Sequence, residues 1–355
     1  MPLSTDDLPE YRSRVRGCLL GGALGDALGA PVEFESIRRI RERYGPEGLT
    51  GLAADWRGKL GLITDDTQMT LFTVEGLIRR PEVAGLRRAY LRWLDTQQHP
   101  APPPANGVIR TGWLREQTWL YSRRAPGNAC LSGLRNGQAT APAPFGERGP
   151  VNPDSKGCGT VMRSAPFGLR APSPQHAFEL AARCAQITHG HPTGYLAAGA
   201  LAAVVHFLVA GEPLAEAVRR AADLLLTYPR HEETTRALRA AVDLVATGAP
   251  GPEKVESLGG AWVAEEALAI AVYCALAYPE AGDLPQALLL AVNHSGDSDS
   301  TGAICGNLLG ALHGETALPV GWLAQLEGRD VIAELADDFT AQPARGPGHE
   351  KYPRD

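Results

Sequence analysis

The chain has 355 residues, 44% of them hydrophobic, with 34 basic and 40 acidic residues and a net charge of -6. That much apolar material can bury a sizeable core in one large domain or two ordinary ones, which excludes disorder of the whole chain. Without a basic excess there is no broad cationic surface for a phosphate backbone, so no nucleic-acid scaffold is expected.

Taken in chain order, the elements read as helix after helix. VRGCLLGGALGDALGA (15–30) has helical apolar spacing, and Gly21, Gly25 and Gly29 recur every four residues, a bare ridge that another helix can approach closely. DTQMTLFTVEGLI, LRRAYLRWLDTQ, SPQHAFELAARCAQITH, TGYLAAGALAAVVHFLV, LAEAVRRAADLLLTY, AEEALAIAVYCALAY and LPQALLLAVNH follow. Ser173-Pro174 reads as an N-cap with proline in the first turn, and Gly211 and Gly248 read as stops. Hardly any segment alternates with period two, so an all-α fold is expected, one domain over residues 1–341. Two Pro- and Gly-rich stretches, 99–107 and 139–159, are expected as surface loops bordering a site, and the tail 342–355 as loose.

Six scattered cysteines form no CxxC pair and read as reduced core thiols. The N-terminal MPLSTDDLPEYRSR has no apolar signal core, and the apolar run from Tyr195 carries His206 and is short for a bilayer span. A soluble cytoplasmic protein without a membrane partner is therefore expected.

Two acid-rich stretches stand out: Thr64-Asp65-Asp66-Thr67 and, far downstream, Asp297-Ser298-Asp299-Ser300. Each precedes an apolar helical run, and an isolated stretch of this kind is most often a helix cap. Capping uses one oxygen, whereas these starts offer four carboxylates and several hydroxyls that repel one another unless a cation intervenes. Oxygen donors without a nearby cysteine suit Mg²⁺, Mn²⁺ or Ca²⁺ rather than zinc. An EF-hand reading of DSDSTG fails because its twelfth position is Leu308. A DxDxT phosphatase reading leaves only the last stretch of chain for its remaining parts.

Five landmarks carry a resemblance to a known family: the glycine-rich first helix ending in Glu33, TDDT, GCGTVMR (157–163), ITHGHPTGY (187–195) and GDSDST (296–301). The chain resembles the ADP-ribosylglycohydrolases, whose members include the dinitrogenase reductase-activating glycohydrolase. The resemblance implies an orthogonal helix bundle with a cleft holding two divalent ions, Mg²⁺ or Mn²⁺. Thr64, Asp65 and Asp66 would bind on one side and Asp297, Asp299 and Ser300 on the other, with Thr301 left open as a further hydroxyl. It also implies hydrolysis of the bond at the ribose anomeric carbon. Paired ions suit that step, because they can hold vicinal ribose hydroxyls and activate a water.

Asp66, Glu33 and Asp299 are the candidate catalytic carboxylates. Gly157, Gly159 and Thr160 are carried over as the loop contacting diphosphate and ribose, His189 as the ribose histidine, with His191 as its rival. Ser295 and Gly296 should line the cleft by adjacency to Asp297. Trp113 and Tyr121 are candidates to stack on adenine, and Arg163 reads as structural. The expected partner is an ADP-ribosylated protein or an ADP-ribosyl small molecule. The favoured linkage is ADP-ribosyl-arginine. Serine-linked or small-molecule substrates, or a silent ADP-ribose sensor, are the alternatives.

Overall fold

The computed structural model describes residues 8–55, 57–107, 109–136, 141–341 and 351–354. The glycine ridge explains its central feature. Helix α1 (Leu8–Gly29) runs antiparallel to a helix that begins at the second acidic stretch, Ser298–His313. Gly17, Gly21, Gly25 and Gly29 meet Gly310, Gly306, Gly302 and Ser298 in turn, backbone against backbone. A Cβ at Gly25 would sit 1.9 Å from the Gly302 carbonyl oxygen, and one at Gly306 2.0 Å from that of Gly21. Only hydrogen fits between these axes, so the approach is far closer than ordinary ridges-into-grooves packing allows. As a result, the end of α1 is pinned beside the start of Ser298–His313.

Sixteen α-helices and no β-strand occur among the described residues, as expected for an all-α chain. After α1 come α2 (Asp65–Arg79) and α3 (Val83–Gln98), which pack on each other and enclose a buried ion pair, Arg92 Nε to Glu75 Oε2 at 2.8 Å. Next are α4 (Pro174–Ala185) and α5 (Pro192–Val209). The 18-residue α5 is apolar and long enough to cross a membrane, but 89% of it is buried inside the protein, so it is the fold's inner helix. It packs on α4 and on α6 (Ala264–Ala277). The glycine-paired helix Ser298–His313 is α7, and α8 (Arg329–Thr340) lies across α1.

The first helix begins seven residues earlier than its apolar spacing suggests, because its opening turns are polar and solvated. They are tied to α8 instead, with Arg12 Nε and Arg16 Nε each donating to Asp337 Oδ1 at 2.6 Å. The helix Glu232–Val245 is absent from the sequence reading because few of its residues face the core.

Residues 342–350 lie outside the described residues. The expected loose tail does not extend to Lys351–Arg354: Tyr352 is buried, its hydroxyl donates to Asp338 Oδ2 at 2.7 Å, and the Lys351 carbonyl accepts from Trp113 N at 3.0 Å.

Candidate metal centre and ligand cleft

At the start of α2 the capping work is shared in an unusual way. Thr64 is the N-cap, its Oγ1 accepting from Asp66 N at 3.3 Å. The other amides are taken by Asp26, a fully buried carboxylate on α1, which accepts from Thr64 N at 3.1 and 3.0 Å, from Thr67 N at 3.1 Å and from the Thr67 hydroxyl. Because a neighbouring helix supplies this acceptor, Asp65 and Asp66 are not consumed by capping and line the cleft. The sequence reading missed Asp26. Its signal was an acid in an otherwise bare GGALGDALGA helix.

At the start of α7, Asp297 is the N-cap without a side-chain cap bond, and its amide donates to Gly260 O at 3.0 Å. Carboxylate oxygens of Glu33, Asp297 and Asp299 all lie within 4.8 Å of one another, the juxtaposition that the glycine contact enforces. Ser300 Oγ donates to Asp66 Oδ1 at 2.8 Å across a separation of 234 residues, joining the two acidic helix starts.

The electrostatics of the cluster are those of a cation trap. Asp65, Asp66, Asp297 and Asp299 are 4% exposed or less, and among the described residues no Lys or Arg pairs with them or with Glu33. Burial, then the Asp299 charge, push the Asp65, Asp66 and Asp297 carboxyls well above the usual range. The same causes raise Glu33 to about 11 and Asp26 to about 7. Bare carboxylates at this density hold protons or cations. All-oxygen donors from Asp, Glu and Ser fit hard divalent ions, and Asp65, Asp66, Asp297, Asp299 and Ser300 line the cleft, whereas Thr64 is not on its lining and spends its hydroxyl on the cap of α2. Residues 298–313 are helical, which leaves no EF-hand loop. Thr301 faces away, donating to Ala291 O at 2.7 Å.

The expected absence of a cysteine near the acidic stretches does not hold. The fold brings Cys158 beside the cluster, its thiol donating to Asp297 Oδ2 at 2.7 Å. Burial and the Asp297 charge hold that thiol protonated, so it acts as a donor and the anionic donors remain oxygens. The other five cysteines are buried, and all six are free.

The carboxylates form one end of a cleft of about 720 Å³. Gly157, Gly159 and His189 line it. His189 Nδ1 bonds Thr188 Oγ1 at 2.8 Å, and burial, then the Arg163 charge, lower its pKa to about 3, so the ring is neutral. A Cβ at Gly157 or Gly159 would come within 3.2 Å of that ring, which is why glycine occupies both positions. His191 instead caps α5.

Thr160 is a correction. It is fully buried, and its hydroxyl donates to Gly194 O at 2.7 Å rather than into the cleft. Ser295 and Gly296 are also off the cleft surface: Ser295 Oγ donates to Glu256 and accepts from Ile37 N at 2.8 Å, and Gly296, at φ +145, packs on Gly260. Adjacency in sequence failed because the chain turns between Gly296 and Asp297. Trp113 and Tyr121 do not reach the cleft either. Trp113 packs against Tyr352, and the Tyr121 hydroxyl donates to Arg115 O at 2.8 Å. The aromatic rings at the cleft are Phe34 and Trp262, which the sequence reading did not single out. Arg163 is structural as expected, buried over the Tyr90 ring and donating to Thr188 Oγ1 at 2.6 Å. Of the two proline-rich loops, the second reaches the cleft through Ser155 and Gly157, and the first does not.

A helical bundle whose glycine-paired helices assemble an oxygen-rich acidic cleft is the architecture of a metal-dependent hydrolase. The family model for ADP-ribosylglycohydrolase matches residues 7–348. The chain is 30% identical over 331 residues to the ADP-ribosyl-[dinitrogen reductase] glycohydrolase of Rhodospirillum rubrum, covering 90% of this chain and 92% of that one. It is 26% identical to the ADP-ribosylarginine hydrolase Tri1 of Pseudomonas putida (92% and 77% covered) and to the ADP-ribosylhydrolase ARH3 of Bos taurus (91% and 92%). A solved ADP-ribosylglycohydrolase-related protein complex superposes with a TM-score of 0.63 at 26% identity, covering 95% of this chain and all of that one. The chain belongs to the ADP-ribosylglycohydrolase family and is a hydrolase that removes ADP-ribose.

Proposed function

We propose that this hydrolase cleaves ADP-ribose from the arginine side chains of modified proteins, using two Mg²⁺ or Mn²⁺ ions. Asp65 and Asp66 hold them from one side and Asp297, Asp299 and Ser300 from the other. The observation that carries the reading is the Ser300–Asp66 bond at 2.8 Å, which supports one shared centre built from two distant helix starts. The relatives named for dinitrogen reductase and for ADP-ribosylarginine support the arginine linkage.

When bound, the ions supply charge for the vicinal ribose hydroxyls and lower the pKa of a water. The chain's own groups do the rest. Gly157 and Gly159 leave room for the ligand against a neutral His189, which can donate or accept without adding charge. Glu33 is the least buried carboxyl of the cluster and delivers a proton to the departing nitrogen, while Asp66 accepts one from water. Six free thiols support a reducing compartment such as the cytoplasm.

The test is release of free ADP-ribose from ADP-ribosyl-arginine by the Mn²⁺- or Mg²⁺-supplied protein. Asp65→Ala and Asp299→Ala should abolish it. Full turnover in either variant defeats the proposal.

A further inference from the structure

Two aromatic rings stand over the acidic end of the cleft in a position that core packing does not explain. Phe34 and Trp262 stack with centroids 5.2 Å apart and planes 20° apart, yet they are 66% and 45% exposed. Each is carried by strained backbone, with φ of +68 at Phe34 itself and +63 at Ala261, the residue before Trp262. A non-glycine residue in the left-handed region costs about 1–3 kcal/mol and persists where surrounding structure or function demands it.

Their anchoring identifies which end of a ligand they serve. Phe34 directly follows Glu33. The Trp262 carbonyl accepts from Cys158 N at 3.2 Å, and Gly260, two residues before it, accepts from Asp297 N at 3.0 Å. Both rings are thus fastened to the carboxylate cluster. The polar groove that continues from the cleft through Arg123, Asn128 and Ser155 toward Arg135 and Asn152 does not include them. A ribose held at the cluster with its diphosphate running along that groove would direct the leaving group from its anomeric carbon at the ring pair.

We infer that Phe34 and Trp262 form an aromatic seat for the leaving group, and that the group it fits is a planar cation, the guanidinium of arginine. An exposed ring face attracts a cation through its quadrupole, and guanidinium stacks flat on such faces. This deepens the arginine reading and rests on it for the identity of the leaving group.

Two measurements test it. In the first, methylguanidinium is titrated into the wild-type protein while tryptophan fluorescence is followed, with urea as an uncharged planar control. A saturable change with methylguanidinium, absent with urea and lost in Phe34→Ala and Trp262→Phe/Phe34→Ala, is expected. An identical response in wild type and Phe34→Ala overturns the proposal. In the second, Phe34→Ala and Trp262→Ala should raise KM for ADP-ribosyl-arginine about tenfold with kcat changed less than about twofold, the pattern of lost uniform binding, and Trp262→Tyr should restore it. The Kd of free ADP-ribose should stay within about twofold, because the product lacks the guanidinium. If ADP-ribose binding weakens instead, the rings seat the purine and the inference fails. If methylguanidinium binds through the rings but ADP-ribosyl-arginine is not turned over, the seat stands and the proposed reaction falls.

Discussion

Replacing Gly25 by alanine puts a methyl group where the Gly302 carbonyl oxygen lies 1.9 Å away. Ordinary contact needs about 3.5 Å, so α1 and α7 must part locally by about 1.6 Å. Overpacking of this kind costs roughly 1–3 kcal/mol, and the better helix propensity of alanine returns about 1. A net loss of about 1 kcal/mol is expected in urea unfolding. Gly17→Ala makes a similar clash, 2.3 Å from the Gly310 oxygen, and should cost a comparable amount. The two differ in place: Gly25 is about 6 Å from the end of α1 and Gly17 about 18 Å, at 1.5 Å per residue. Metal ligands tolerate displacements of only about 0.2 Å, so Gly25→Ala should weaken Mn²⁺ binding about 100-fold by calorimetry. Gly17→Ala should leave it within about threefold. Equal losses of Mn²⁺ affinity in both variants, or unchanged affinity in Gly25→Ala, would refute the idea that the glycine contact sets the carboxylate spacing.

Three further outcomes follow from particular contacts. Asp26→Asn turns an acceptor of three protein donors into a group with a competing N–H; Mn²⁺ affinity should fall about 10- to 100-fold while Asp26→Glu recovers part of it, measured by calorimetry. Raised carboxyl pKa values mean that the folded, metal-free protein binds more protons than the unfolded chain. Its cluster is therefore most stable below the unfolded carboxylate range of about 4 and loses stability as pH rises, through about 7 for Asp26 and about 11 for Glu33. The rise in Tm on adding Mn²⁺ should accordingly be larger at pH 8 than at pH 6, and a smaller rise at pH 8 would contradict the cluster's role. Asp337 has the opposite sign. Burial pushes it up, but the bonds from Arg12 and Arg16 outweigh that and bring it to about 2. Its contribution, about 1 kcal/mol after allowing for the exposed Arg12, is present above about pH 4 and lost as pH falls toward 2. Asp337→Asn should therefore destabilise the protein at pH 7 and be neutral near pH 2 in urea unfolding.

Periodicity and side-chain chemistry determined the helical class, the glycine ridge and the two acidic stretches, because each is a local property of consecutive residues. Surplus carboxylates at a helix start announce a cation wherever the chain later places them, and a four-residue glycine period announces a close neighbour without saying which. Only the tertiary structure decided that the neighbour is α7, that Asp26 caps α2 from another helix, and that Thr160, Ser295 and Gly296 turn away from the cleft while Phe34 and Trp262 turn toward it. Those outcomes depend on backbone direction and on donors supplied from far along the chain. A helix cap borrowed across 38 residues and a thiol brought within hydrogen-bonding distance of Asp297 from 139 residues away are products of packing, to which a linear pattern is blind.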